Sequence, residues 1–219
     1  MVGITVMIID FSGRLYTFLA ARGWAAQILW LAGAKVEVVG GEGLDWKKSH
    51  VIVCNHMSQL DIPVLFNKLP TPIRFLAKRS LFYIPIFGWS LWIARFVPVD
   101  RGSVRKARES IDVAARKIRK GPSLVVFPEG TRSPDGKVKK FKSGAFVMAI
   151  KAGVPILPVA VRGTFQLVPK NTLKVTPGKA QLIIGTPISC EGKSIKDKEN
   201  LRIETQRVVE KMFETGKPI

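Results

Sequence analysis

Cysteine and histidine are scarce in this 219-residue chain, two of each: Cys54 and Cys190, His50 and His56. So few thiols and imidazoles argue against a disulfide framework and against a Cys/His zinc site, and no metal or bound cofactor is expected. A reducing cytoplasm is the expected compartment. Acidic side chains are the next deficit. Sixteen Asp and Glu stand against 35 Lys and Arg, a net charge of +19. Such a balance needs an acidic partner: nucleic acid, an anionic membrane surface, or a phosphorylated or acidic-carrier substrate. Also missing is an uninterrupted apolar run of the roughly 18–20 residues that span a bilayer. Charges at Asp10, Arg14, Arg22 and Lys35 break the N-terminal segment, and Pro85 and Gly88 break the longest uncharged run, Ser80 to Ala94. The N-terminus shows neither the basic region nor the small-residue cleavage site of a secretory signal.

What is present is grease beside the charge. Hydrophobic residues make up 47% of the chain, and the mean hydropathy is +0.16. Freely soluble nucleic-acid binders are less apolar, so a membrane surface fits better and nucleic acid is not expected. Residues 1–34 read as two short helices broken near Gly23, with Trp24 and Trp30 suited to the membrane interface. They are expected to form a membrane-association element ahead of a single domain over 35–219. The other reading is a helical hairpin packed on the protein's own core.

From Lys35 onward, strands and helices alternate. β-Branched or apolar runs at 35–39, 51–53, 73–77, 96–99, 123–127, 154–161, 173–176 and 181–185 read as strands. Helices are expected after Ser58 to about Lys68, over 103–120, over 143–151 and over 194–214. That alternation predicts an α/β layered domain with a largely mixed or parallel sheet flanked by helices. In the helix over 103–120, Val104, Ala107, Ile111, Ala114, Ala115 and Ile118 recur at helical spacing as an inward stripe, and the outer face is strongly basic. Of the aromatics in Ser80 to Ala94, about half are expected in the core and the rest in an acyl pocket or against lipid.

The organising stretch is Val51 to Asp61, VIVCNHMSQLD. A buried strand ends at Asn55-His56, and Ser58 with Asp61 makes a capping pattern at the start of a helix. A strand end before a helix is where α/β proteins expose their chemistry. With His56 ahead of the helix, Asp61 can turn back to the ring, fix its tautomer and leave the other nitrogen as a base. On these seven residues alone, a plain helix cap with a turn histidine accounts for the pattern equally well. A second turn follows the strand at 123–127: Pro128-Glu129-Gly130-Thr131-Arg132-Ser133. Its glycine permits close backbone approach, and its arginine presents a fork that matches phosphate oxygens.

Four stretches, in order, resemble the motifs of the phospholipid/glycerol acyltransferase family, in its lysophosphatidic acid acyltransferase branch. They are Asn55-His56-x-Ser58-x-x-Asp61, Phe96-Val97-Pro98-Val99-Asp100-Arg101, Phe127-Pro128-Glu129-Gly130-Thr131-Arg132-Ser133 with Phe141-Lys142-x-Gly144-x-Phe146, and Val154-Pro155-Ile156-Leu157-Pro158-Val159. One departure is Arg79-Ser80 after Ala77-Lys78, where family members often carry an acid. The resemblance implies acyl transfer from acyl-CoA or acyl-carrier protein to the hydroxyl of lysophosphatidic acid, giving phosphatidic acid. It implies His56 as base oriented by Asp61, and Arg101 and Arg132 on the acceptor phosphate with Lys78 a weaker contact. Glu129, Gly130 and Thr131 would shape the second loop, with Glu129 orienting a cation. It also implies an enzyme at the cytoplasmic face of the membrane. Other acceptors, glycerol-3-phosphate or another lysophospholipid, and a non-catalytic anionic-lipid-binding module are the alternatives. Cys54, two residues before His56, is expected to be strand filler rather than a nucleophile.

Overall fold

The apolar runs do become strands, and the order in which they pair decides where the chemistry lies. The computed structural model of the protein describes residues 17–93, 96–99, 104–119, 121–172 and 174–219. The strands are β1 (Ala34–Gly40), β2 (Val51–Cys54), β3 (Ile73–Lys78), β4 (Val97–Val99), β5 (Ser123–Val126), β6 (Ile156–Arg162) and β7 (Gly178–Ile184). The helices are α1 (Arg22–Leu31), α2 (Asp61–Lys68), α3 (Phe87–Ile93), α4 (Val104–Arg119), α5 (Gly144–Ala152), α6 (Thr164–Leu167) and α7 (Lys198–Thr215). Among the described residues the strands form one sheet in the order β1-β7-β6-β2-β5-β3-β4.

β6, β2, β5, β3 and β4 run parallel, while β7 is antiparallel to β6 and carries β1 parallel to itself. Five strands therefore end on one edge of the sheet. Strand residues alternate between two cores. Val51, Val53, Leu124, Val126 and Ile156 face the layer of α4, α5 and α7. Ile52, Cys54, Val125, Leu157 and Val159 face α1, α2 and a cluster of phenylalanines. Every residue of β2 and β5 is buried, as strands covered on both faces must be.

Three expectations are corrected. No strand occupies 174–176, and Leu173 lies outside the described residues. That stretch is exposed, with Val175 half out of the protein, so it has no apolar face to bury, and the strand starts after Pro177. Gly23 does not break a helix: it sits inside α1, where Ala25 and Leu29 are buried against the core. That burial outweighs glycine's cost of about 1 kcal/mol in a helix. Ser58 does not cap α2 through its side chain; the helix begins at Asp61 after Leu60. Residues 1–16, which hold most of the first of the two expected N-terminal helices, lie outside the described residues, and Thr17–Ala21 is helical and leads directly into α1.

Candidate active site

The loop between β2 and α2 is built by its own side chains. Asn55 is fully buried. Its Nδ2 donates to the Val161 carbonyl at 2.9 Å and its Oδ1 accepts the Val161 N–H at 2.8 Å. The amide thereby extends the β2–β6 pairing one residue past the strand and turns the chain. Asp61, also fully buried, points back at the turn. Its Oδ2 accepts N–H bonds from Met57 at 2.7 Å and Ser58 at 2.8 Å. The same oxygen lies 2.9 Å from His56 Nδ1. A carboxylate at that nitrogen places the ring proton on Nδ1 and leaves Nε2 with its lone pair. Phe127 stacks on the imidazole at 4.0 Å between centroids, tilted by 14°. The ring is held at its edge and on its face.

The loop after β5 locks onto the first one. Glu129 is buried. Its Oε1 accepts the His56 N–H at 2.7 Å and its Oε2 accepts the Lys139 N–H at 3.1 Å. The hydrogen-bond partners of this carboxylate are backbone amides, and the positive charge of Lys139 acts on it as well. The His56 carbonyl in turn accepts the Ser133 N–H at 2.8 Å. Burial pushes the Glu129 carboxyl up to about 7, against the pull of those two amides and the Lys139 charge. Gly130 adopts φ +80°, where only glycine is unstrained, and a Cβ there would meet Lys142 Nζ at 3.0 Å. Burial pushes the Cys54 thiol well above its usual value, and the charges of Asp61 and Glu129 add to the effect. It is a thiol without nucleophilic character.

His56 lies on the wall of a cavity of about 680 Å³. Phe66, Phe75, Leu81, Leu91 and Phe96 make its apolar lining, and Lys78, Gly130, Thr131 and Arg132 supply the polar part. The structure thus brings His56, Lys78, Gly130, Thr131 and Arg132 to one space, with Asp61 and Glu129 immediately behind. Arg101 lies outside the described residues. A second hollow of about 640 Å³, over Lys35, Glu37, Arg162 and Gln181, is open to solvent and shares no lining residue with the first. Among the described residues no group of three or more His, Cys, Asp or Glu could hold a metal.

Sequence reasoning missed two partners of the dyad, Phe127 on the imidazole face and Thr164 on Asp61. Thr164 Oγ1 donates to Asp61 Oδ1 at 2.6 Å across 103 residues of sequence. The available signal was positional, since Thr164 stands just past β6, at the edge where the parallel strands end.

A family model described as "Acyltransferase" matches residues 35–162. The chain is 34% identical over 185 residues to the chloroplastic 1-acyl-sn-glycerol-3-phosphate acyltransferase BAT2 of Brassica napus, covering 84% of this chain and 53% of that protein. It is 32% identical over 201 residues to a 1-acyl-sn-glycerol-3-phosphate acyltransferase of Borreliella burgdorferi, covering 92% and 80%. The chain thus spans about half the length of the plant relative and most of the bacterial one. In three dimensions it is similar to the crystal structure of the 1-acyl-sn-glycerophosphate (LPA) acyltransferase PlsC of Thermotoga maritima. There the TM-score is 0.82 at 32% identity, over 95% of this chain and 84% of that one.

Proposed function

The chain belongs to the acyltransferase family, and on that premise we propose that it moves an acyl group from a thioester to the free hydroxyl of lysophosphatidic acid, giving phosphatidic acid. The donor would be acyl-CoA or acyl-carrier protein. The observation that carries this reading is an imidazole bonded to a buried carboxylate on the wall of an apolar cavity that also bears Arg132. In the proposed reaction His56 Nε2 takes the hydroxyl proton as the acceptor oxygen attacks the thioester carbonyl. Asp61 stabilises the imidazolium so formed. The tetrahedral intermediate collapses, the C–S bond breaks, and the imidazolium returns the proton to the leaving thiolate. The protein supplies no nucleophile in this scheme, in keeping with the buried Cys54. Arg132, with Lys78 and Arg101, would hold the acceptor phosphate, and the apolar lining would take acyl chain.

We place the protein at the cytoplasmic face of a membrane, as a peripheral or interfacial enzyme. No helix among the described residues is long and apolar enough to cross a bilayer. Two groups of exposed apolar side chains support an interfacial position: Trp24, Trp30 and Leu31 on α1, and Tyr83, Ile86, Trp89 and Trp92 around α3. Trp24 and Phe87, one from each region, also line the cavity.

The test is incubation with labelled lysophosphatidic acid and each thioester, with phosphatidic acid measured as product. Glycerol-3-phosphate in a parallel reaction distinguishes the alternative acceptor. His56→Ala is expected to lower kcat by about 10²–10⁴-fold, the usual contribution of a general base. Undiminished turnover in that variant would end the assignment of the base.

A further inference from the structure

The loop that carries His56 is held on its second side by the segment Val161–Val168, which the proposed chemistry leaves unused. Asn55 bonds the Val161 backbone, and Ser58 Oγ donates to the Val168 carbonyl at 2.7 Å. Between those anchors the Thr164 hydroxyl donates to Asp61 Oδ1 at 2.6 Å, and both residues are 0% exposed. Asp61 thus meets three donors at Oδ2 and the threonine at Oδ1. Thr164 lies two residues beyond the end of the matched family region.

We infer that Thr164 is a positioning residue of the reaction, setting how strongly Asp61 draws on the His56 proton. The inference rests on the reading of His56 as the base. A hydroxyl donating to one carboxylate oxygen spreads the charge, and so weakens the pull of the other oxygen on the imidazole. Its removal does not turn the carboxylate, because the Met57 and Ser58 amides still hold Oδ2. What changes is compensation: Oδ1 is left in a buried site without its donor, and the His56–Asp61 bond strengthens. The imidazolium is then favoured, so neutral imidazole, the form that accepts the hydroxyl proton, appears at higher pH.

The charged and titratable groups facing this pair come from several elements. Glu129 on the loop after β5 acts on Asp61 through its charge. Cys54 at the end of β2 stays a thiol. Lys78 and Arg132 line the same cavity as the ring.

Thr164→Val removes the hydroxyl while keeping the shape, and Thr164→Ser keeps the hydroxyl. Two readouts apply: the pH profile of kcat/KM, and the Nδ1–H resonance of His56 by NMR in the resting protein. With only two histidines in the chain, His50 serves as the internal reference. In Thr164→Val the acid limb is expected to move to higher pH, costing up to about tenfold in rate on that limb, the worth of one hydrogen bond. Its Nδ1–H resonance moves downfield, the acceptor KM at the alkaline plateau stays unchanged, and Thr164→Ser matches the unmodified protein. A lowered Tm with neither profile nor resonance moved would make Thr164 a packing residue and overturn the inference. Should Thr164→Val not fold, Thr164→Ala removes the same hydroxyl with less bulk and is read identically. Failure of the base reading looks different: His56→Ala then retains turnover, while the resonance still answers to Thr164.

Discussion

Glu129 joins the two loops of the site through hydrogen bonds to the amides of His56 and Lys139. Burial holds its carboxyl at about 7 against an ordinary 4.5. The folded protein therefore keeps a proton that the unfolded chain has lost. The stabilisation is complete below about 4.5 and fades as pH rises through about 7. Glu129→Gln has no such proton, so its stability should change less with pH across that window. Denaturant midpoints measured from pH 4.5 to 7.5 in both proteins check this, and equal slopes would count against it. The amide accepts at one atom only, so one buried N–H loses its acceptor, at a cost of roughly 1–3 kcal/mol. A fall in kcat is expected alongside. The spacing of His56 and Asp61 was legible because both belong to one turn. Thr164 was not, because only the sheet brings β6 beside β2.

Among elements, the segment from Arg79 to Ile93 was legible in its breaks and opaque in its burial. Pro85 does divide it, into a 3₁₀ turn over Arg79–Tyr83 and the short α3, whereas Gly88, expected as a second break, lies inside α3. Gly88 packs on the Phe82 backbone so closely that an added Cβ would collide with the Phe82 carbonyl oxygen. Composition alone could not say which aromatics turn inward. Phe82 does, at 4.9 Å from the Trp92 ring, while Tyr83 and Trp89 stay exposed. Between them Ile86 sits at φ +65°, a conformation that costs a β-branched residue about 1–2 kcal/mol. Its side chain is 75% exposed, so folding recovers little for that strain, whereas a bilayer surface would cover it. Ile86→Gly should therefore raise stability by about 1 kcal/mol in lipid-free buffer and weaken vesicle binding about three- to tenfold. Urea midpoints and vesicle sedimentation measure the two effects. Unchanged vesicle binding would remove Ile86 from the membrane contact. α1 carries a related lesson. Its apolar character suggested lipid, yet Ala25 and Leu29 belong to the core and Ala34 to β1. Only its outer residues are free to meet a bilayer.

For the molecule as a whole, the alternation of strand and helix was enough to anticipate a largely mixed or parallel sheet; its parallel block puts the loops after β2, β5 and β6 on one edge. The reversed pair β1–β7 was not legible, since nothing local states that β7 returns antiparallel along β6. Surface properties add up at this scale too. In the proposed membrane association, a charge of +19 would attract anionic lipid over a screening length of about 8 Å at physiological salt, while exposed tryptophans would contribute a term that salt does not screen. The two should separate experimentally. Binding to anionic vesicles should weaken as salt rises to about 0.5 M, where the screening length shortens to a few ångströms, and level off above zero. Trp30 and Trp89, 80% and 63% exposed, are absent from the cavity lining, so the pair Trp30→Glu and Trp89→Glu leaves the core and the site alone. Removing residues 1–34 instead would uncover the core beneath Ala25 and Leu29, confusing lost binding with lost folding. The double variant should bind anionic vesicles at low salt and release more completely at high salt than the unmodified protein, with only the remaining exposed apolar side chains to hold it. Its turnover of detergent-dispersed lysophosphatidic acid should match the unmodified protein. A residual high-salt binding equal in both proteins would mean that these tryptophans do not enter the bilayer, and that charge alone brings the cavity to its lipid.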